Sequence, residues 1–268
     1  MTENMRRVII IPMEGLCNRM RVIASGVTIA RYFHARTEVY WNRTANCACR
    51  FADLFEPVRA DDVEVREGGG LLHAIASRYN LWVPLALRCV RYGQVIRCFD
   101  MNSMGNIYDR VHDVEDLVLE SHSQMAALSD VGELFVPRED IRNEIKLTTA
   151  SFGSNVVGVH VRRTDNALSK SHSPLETFVE RMESEVQADG SVRFFLATDD
   201  VTVRDELSRL FGGRLMYRDN KPDRSSEQGM RDALVDLYSL SRTRKVLGSY
   251  WSSFSAMASE IGNIPLII

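Results

Sequence analysis

The sequence lacks the features that mark several large classes of protein. It has 5 cysteines among 268 residues, an odd number without a repeated C-x-x-C motif, which excludes a disulfide-rich scaffold and makes a zinc module improbable. It has only 7 prolines and 16 glycines, too few for a collagen-like or low-complexity chain. No apolar stretch approaches the ~18 residues that a membrane-spanning helix requires. We therefore expect a globular chain without a transmembrane segment or a metal site.

Net charge is also nearly absent. The 33 Lys and Arg residues are balanced by 36 Asp and Glu residues, which gives a formal charge of −3. A basic surface for nucleic acid is therefore not expected, although a local basic cleft remains possible. The apolar run Val8–Ile11 is too short for a secretory signal, and Cys47 and Cys49 form an isolated C-x-C pair typical of reduced thiols. The predicted location is the cytoplasm.

The first half of the sequence begins with the pattern of a βαβ unit. The apolar run Arg6–Pro12 predicts a buried strand, and apolar residues at helical spacing over 22–30 predict a helix that Asn18 could cap. A second strand is predicted over Thr37–Trp41. Beyond it, Gly68–Gly70 indicates a flexible joint.

Three helices are predicted in the middle of the chain. They cover Leu71–Arg91, Asp113–Ser129 and Arg138–Thr149, the last of which connects the two halves of the chain.

Strands and helices alternate regularly in the second half. The predicted strands are Val156–Val161, Arg193–Ala197, Leu215–Tyr217, Lys245–Leu247 and Pro265–Ile268. The predicted helices are Leu175–Gln187, Thr202–Phe211, Ser226–Ser241 and Ser253–Glu260. This alternation is typical of a parallel sheet covered on both faces. We therefore predict an α/β protein of two Rossmann-like halves with a cleft between them, and ligands bind such sheets beyond the carboxyl ends of the strands.

The richest strand end is His160-Val161-Arg162-Arg163-Thr164-Asp165. His160 and Arg162 lie two residues apart and so face the same side of an extended chain. Guanidinium groups match phosphate oxygens in pairs and stay charged. Asp165 can hold one arginine in place while the other binds a ligand. This pattern predicts an anion site, with an internal Arg–Asp ion pair as the alternative.

Two further strand ends carry polar residues. Thr198, Asp199 and Asp200 precede a predicted helix, so one aspartate is expected to cap it while the other faces the cleft. Ser252 and Ser253 open the last helix, where hydroxyl and N–H groups suit a phosphate. Either serine alone is equally typical of a helix cap. Both sites are expected at one edge of the same sheet, where together they would grip a diphosphate.

The loop after the first strand contributes candidates from the other half. Met13–Arg19 is not the G-x-G-x-x-G dinucleotide fingerprint. Gly15 allows close approach to a ligand, Arg19 adds positive charge, and Glu14 is a carboxylate that either faces the cleft or is an exposed loop acid.

These segments resemble the fucosyltransferase superfamily, in particular its α1,6-fucosyltransferase and nodulation fucosyltransferase group. The matching motifs are HVRRTD at 160–165, FFLATDD at 194–200, DLYSLS at 236–241 and SSFS at 252–255. The opening EGLCNRMR is similar to the Gly-x-x-Asn-Arg loop of the same superfamily. The resemblance covers roughly residues 155–262 and is more specific for the superfamily than for the linkage formed.

The resemblance implies a GT-B-like fold and an inverting, metal-independent transfer of fucose from GDP-fucose to a glycan hydroxyl. No cofactor is expected beyond this donor. Residues 1–140 would form an acceptor-side α/β domain, and residues 141–268 a domain that binds the nucleotide sugar. The alternatives are a transferase for another nucleotide sugar and a non-catalytic module that binds a GDP-sugar.

The resemblance also implies roles for individual residues. His160 and Arg162 would contact the ribose and diphosphate, with Arg162 stabilising the leaving GDP and Arg163 supporting them. Asp236 would accept N–H groups of guanine. The implied donor-binding set is Asn18, Arg19, His160, Arg162, Asp165, Thr198, Asp199, Asp200, Asp236, Ser252, Ser253 and Phe254.

The general base is the point where this sequence departs from the α1,6 enzymes. They carry a glutamate shortly after the arginine motif, whereas residues 166–173 here read NALSKSHS, without a carboxylate. Some protein O-fucosyltransferases carry a glutamate in the first glycine loop. Glu14 is therefore the first candidate for the base and His172 the second, and Glu14, Arg162 and Arg163 are the predicted catalytic residues.

Overall fold

Two parallel β-sheets form the framework of the protein. The computed structural model describes residues 5–67, 92–98, 106–112, 114–163, 172–220 and 222–268. Its strands are β1 Arg7–Pro12, β2 Arg36–Trp41, β3 Val63–Glu67, β4 Gln94–Cys98, β5 Asp116–Ser121, β6 Val156–Val161, β7 Arg193–Thr198, β8 Leu215–Tyr217, β9 Val246–Leu247 and β10 Leu266–Ile267. Their order is β3-β2-β1-β5-β4 in one sheet and β10-β9-β6-β7-β8 in the other.

Helices connect these strands. They are α1 Leu16–Tyr32, α2 Phe51–Leu54, α3 Val131–Leu134, α4 Glu139–Thr149, α5 Leu175–Ala188, α6 Val201–Phe211, α7 Glu227–Leu240 and α8 Ser253–Gly262, with short 3₁₀ helices at Ile107–Arg110 and Gly212–Arg214. The chain forms two units. Each has one of the sheets, and they comprise Met1–Arg138 with Arg224–Glu227, and Glu139–Asp223 with Gln228–Ile268.

The first unit is built around β1. This strand pairs in parallel with β2 and β5, and its apolar side chains are buried, which is typical of a strand covered on both faces. The helix α1 lies very close to β1, because a Cβ atom on Gly26 would come within 2.3 Å of Ile10 Cδ1. The predicted βαβ opening is confirmed.

One predicted helix in this unit is wrong. The segment predicted as the helix Asp113–Ser129 contains β5, which pairs with both β1 and β4. Acidic residues near Leu117–Leu119 resemble the polar face of a helix, yet these three apolar side chains are buried in the middle of a parallel sheet. The sequence also did not reveal β3 and β4. The predictions for Gly68–Gly70 and Leu71–Arg91 lie outside the described residues.

The second unit follows its predicted pattern closely. All five strands, and the helices α4 to α8, form within about two residues of their predicted bounds. The core includes Val157, Val159, Phe194 and Leu196 from the sheet. Since β6 pairs in parallel with β7 on one side and β9 on the other, the carboxyl ends of these three strands lie side by side.

Two further features of the described residues concern membrane helices and cysteines. In the part that the structure describes, no helix combines the length and apolar character needed to cross a bilayer. The four described cysteines, Cys17, Cys47, Cys49 and Cys98, are buried free thiols. Cys47 Sγ and Cys49 Sγ lie 3.9 Å apart, so the two side chains are in contact.

Candidate functional site

Ser249 joins the ends of β6 and β9. Its hydroxyl donates to the His160 carbonyl at 3.1 Å and accepts the Arg162 N–H at 3.0 Å. The arginine-bearing strand end and the serine-rich strand end are therefore neighbours at one edge of the second sheet. The predicted placement of the two segments at a common edge is confirmed.

His160 is fixed by the first turn of α8. Its side chain is buried, and its ring stacks on Phe254 with centroids 4.7 Å apart. Its Nδ1 lies 2.7 Å from Ser255 Oγ and 3.5 Å from Ser252 Oγ. Gly248 permits this approach, because a Cβ atom there would come within 2.7 Å of Ser255 Cβ. The ring orientation thus depends on two hydroxyls and a stacked aromatic ring.

The two aspartates after β7 have different roles, and only one of them caps the following helix. Asp200 is the N-cap of α6 and accepts the Thr202 N–H at 2.8 Å. Asp199 instead accepts the Arg163 N–H at 2.7 Å, which ties the end of β7 to the end of β6. Thr198 adds a second tie, since its hydroxyl donates to the Val161 carbonyl at 2.8 Å.

The pKa of Asp200 lies below its usual range. The principal cause is the hydrogen bond from the Thr202 hydroxyl, aided by N–H groups at the helix start and by the positive charge of Arg163. Asp200 is therefore a charged helix cap at neutral pH.

A pocket lies at the carboxyl ends of β7 and β8. Its walls comprise Leu196, Ala197, Thr198, Asp200, Val201, Arg204, Tyr217, Arg218, Asn220, Pro222 and Asp236. Three of these, Thr198, Asp200 and Asp236, belong to the predicted donor-binding set. The structure thus brings Asp236, which is distant in sequence, to the same pocket as the end of β7.

Asp236 reaches this pocket from α7. Its Oδ1 accepts a hydrogen bond from Arg218 Nη1 at 3.3 Å, and its Oδ2 accepts one from Asn220 Nδ2 at 3.2 Å. Burial raises the pKa of Asp236 to about 6, against the opposing effects of Arg218 and Asn220. A carboxylate with a raised pKa in a pocket is typical of a functional position.

Sequence reasoning missed several residues of this edge. Ser249 and Ser255 lie on either side of the predicted Ser252 and Ser253, and Arg218 and Asn220 follow β8, but none of these four residues was predicted. A signal for the latter pair was present, because they directly follow the predicted strand Leu215–Tyr217. The rule that ligands bind at carboxyl ends of parallel strands applies to that strand as well.

In the first unit, the loop after β1 has an unusual backbone at Glu14. Its φ angle is +65°, in the left-handed region that a glutamate rarely adopts. Gly15 has a φ of −74° and is the N-cap of α1, so Asn18 lies inside the helix and the prediction that it caps the helix is wrong. Glu14 Oε2 accepts a hydrogen bond from Asn46 Nδ2 at 2.6 Å. Glu14, the candidate general base, is therefore the residue of this loop with a strained backbone.

Arg19 is enclosed beneath that loop. Its side chain is 0% exposed, and its guanidinium donates to the Glu14 carbonyl at 2.8 Å, to the Asn42 carbonyl at 2.5 Å and to the Thr44 hydroxyl at 2.9 Å. It also lies over the Trp41 ring. Because its guanidinium is buried and already engaged, Arg19 acts through the loop that it holds, which corrects the predicted direct contact with a donor.

The remaining candidates lie in the second unit. Ser253 is half-buried in the first turn of α8. His172 stacks on Tyr250 with ring centroids 4.8 Å apart. Asp165 lies outside the described residues. Within the described ranges, no group of three or more His, Cys, Asp or Glu side chains is arranged to hold a metal ion.

The fold is similar to that of several solved fucosyltransferase structures. No family model matches the chain, but solved structures align over nearly its whole length. A structure of NodZ alpha-1,6-fucosyltransferase soaked with GDP-fucose has a TM-score of 0.68 and 20% identity, and covers 96% of this chain and 93% of its own. Arabidopsis thaliana FUT1, a mutant in complex with GDP, has a TM-score of 0.62 and 13% identity, with 98% and 70% covered.

A third structure, POFUT1 in complex with GDP, has a TM-score of 0.57 and 14% identity, with 99% of this chain and 98% of its own covered. At such identities, the likeness establishes the fold. The chain therefore has the GT-B-like α/β fold of these three structures, and the predicted fold class is confirmed.

Proposed function

We propose that the protein is a glycosyltransferase that transfers fucose from GDP-fucose to a glycan hydroxyl, with inversion and without a metal ion. The observation that carries the proposal is the hydrogen-bonded junction of β6 and β9, where Ser249 holds the backbone of His160 and Arg162. The similar structures that contain GDP or GDP-fucose support this donor.

The proposed donor site uses neighbouring strand ends of the second unit. The diphosphate binds Arg162, supported by Arg163, and the hydroxyls and N–H groups of Ser252 and Ser253 at the start of α8. Helix N-termini and guanidinium groups are both favourable partners for phosphate. The guanine base of GDP occupies the pocket at the ends of β7 and β8, where the Asp236 carboxylate accepts hydrogen bonds from the guanine N–H groups.

The chemistry requires charge stabilisation at the leaving group. The acceptor oxygen forms a bond to the sugar C1 while the bond from C1 to the β-phosphate oxygen breaks, and the electron pair leaves with GDP. Negative charge grows on the diphosphate, and the fixed guanidinium of Arg162 stabilises that charge most strongly in the transition state. Attack from the face opposite the leaving group inverts the configuration at C1.

A base must accept the proton of the acceptor hydroxyl. We assign this role to Glu14, because its carboxylate is oriented by Asn46 and its backbone is held in a strained conformation that is common at functional positions. His172 is the second candidate. The proposed compartment is the cytoplasm, where the four described free thiols would remain reduced.

Nucleotide binding and turnover test the proposal separately. GDP is expected to raise the melting temperature by several degrees, and much more than UDP or ADP at the same concentration. A larger effect of another nucleotide would identify a different donor. Release of GDP from GDP-fucose, followed with and without a glycan array, tests catalysis. Binding of GDP-fucose without any release or transfer would identify a non-catalytic module.

A further inference from the structure

Arg218 lies among three carboxylates beside the pocket. Its Nη1 donates to Asp236 at 3.3 Å and to the Asp232 carbonyl at 2.9 Å. Its Nη2 donates to Asp232 Oδ1 at 2.8 Å and to Glu144. Its side chain is only 13% exposed. One guanidinium thus connects α4, α7 and the end of β8.

The contacts leave Asp236 able to bind a ligand. An ionised carboxylate has about four acceptor positions. Arg218 takes one on Oδ1 and Asn220 takes one on Oδ2, while the carboxylate lines the pocket. The two oxygens can therefore accept two parallel N–H groups from a planar ligand, while Arg218 and Asn220 fix the plane of the carboxylate.

The charge balance makes this arrangement depend on Arg218. One positive charge faces the carboxylates of Glu144, Asp232 and Asp236. Arg218 favours the ionised form of Asp236, whereas burial and Asp232 favour the protonated form. The described charged groups around this carboxylate or its pocket are Arg218, Asp232, Glu144, Asp200 and Arg204.

We infer that Arg218 is a positioning residue for base selection, which holds the Asp236 carboxylate in place and charged so that it pairs with a base presenting adjacent ring N–H and exocyclic N–H₂ donors. The inference rests on the proposed function, because it concerns the same nucleotide site. It adds a selectivity mechanism to that function. Guanine presents both donors on one edge, and hypoxanthine presents only the ring N–H.

The ratio of GDP affinity to IDP affinity measures this contact. In the unmodified chain we expect GDP to bind about 10-fold more tightly at pH 8, as for one hydrogen bond to a charged group. The ratio should fall as the pH drops through about 6, because protonation removes acceptor positions from the carboxyl group. In Arg218→Gln the midpoint of this fall should move upward by at least one pH unit, so that the ratio at pH 7 is clearly lower than in the unmodified chain. Arg218→Lys should restore most of the ratio.

A charge-compensating variant separates positioning from a merely structural role. Asp232→Asn in the Arg218→Gln background removes a neighbouring negative charge, so it should move the midpoint back down. If Arg218→Gln does not fold, Asp232→Asn alone should lower the midpoint relative to the unmodified chain. A midpoint that does not change in the folded variants would overturn the inference.

A carboxyl NMR titration of Asp236 without nucleotide distinguishes failure of the inference about Arg218 from failure of the proposed function. An upward shift of the Asp236 pKa in Arg218→Gln without any preference for GDP would retain the effect of Arg218 on Asp236 but reject the proposed donor, and with it the role of Arg218 in base selection. A preference for GDP without any shift of Asp236 retains the donor and rejects the role of Arg218.

Discussion

Arginine residues stabilise the candidate binding edges of both units, but through different groups: the side chain in the first unit and the backbone N–H in the second. In the first unit, the side chain of Arg19 is the framework, because its buried guanidinium joins the loop after β1 to the segment after β2. In the second unit, Ser249 and Asp199 hold the backbone N–H groups of Arg162 and Arg163. In the first unit an arginine therefore holds a loop in place, whereas in the second unit other side chains hold the arginines in place.

This contrast explains how one residue type can have different functional consequences. A buried guanidinium surrounded by carbonyl oxygens stabilises its loop but is enclosed. In Arg162 and Arg163, hydrogen bonds to the backbone N–H fix the position of the Cα atom at the strand end. Substitution is therefore expected to affect stability in the first unit and ligand binding in the second.

Arg162→Ala should give the largest effect. We expect fucosyl transfer to fall about 10³-fold, because a charge-stabilising donor to the leaving group is lost. GDP should no longer raise the melting temperature. Arg209→Ala, at an exposed position of α6, is the matched control and should behave like the unmodified chain. An unchanged GDP-induced shift in Arg162→Ala would remove this arginine from the site.

Arg19→Met should affect stability instead. The methionine leaves the Glu14 and Asn42 carbonyls and the Thr44 hydroxyl without their donor, at a cost of about 3 kcal/mol in the free energy of unfolding. Urea denaturation measures this loss, with Arg36→Met at an exposed strand position as the control. A loss below about 1 kcal/mol would contradict the framework role.

Glu14→Gln tests whether the first unit supplies the base. We expect kcat to fall about 100-fold, because the amide cannot accept the proton of the acceptor hydroxyl. The Gln carbonyl can still accept the Asn46 hydrogen bond, so the GDP-induced shift in melting temperature should remain. His172→Gln is measured in parallel. Normal kcat in Glu14→Gln together with a large loss in His172→Gln would move the base to the second unit.

Asp200→Ala should give the smallest effect, about 1 kcal/mol of lost stability at pH 7, the usual value of a helix cap. The pKa of Asp200 is lowered in the folded state, so its ionic contribution is present above its unfolded-state pKa. That contribution is lost as the pH falls through the folded-state pKa. Denaturation from pH 7 to pH 3 should show the difference from the unmodified chain shrinking. Asp200→Asn, which retains a capping oxygen, should lose less, and equal losses in both variants would exclude a capping effect.

The sequence predicted the second unit better than the first for a physical reason. Its strands are short apolar runs, such as Val156–Val161, separated by helices with clear starts and ends, such as the glycine at Gly212. In the first unit, β3 has the charged sequence VEVRE. The strand β5 has acidic residues at both ends of its apolar segment, which gives it the appearance of a helix. Only the pairing of β5 with β1 and β4 distinguishes the two possibilities.

The sequence by itself determined which strand ends carry polar and charged residues, because these residues directly follow apolar strands and parallel strands share one carboxyl edge. Tertiary structure decided which of these groups meet. It enclosed Arg19, assigned the cap to Asp200 rather than Asp199, and brought Arg218 to Asp236 across 18 residues and Glu144 to Arg218 across 74 residues of sequence. Such contacts depend on the distance between side chains of different elements, and no local pattern of residues specifies that distance.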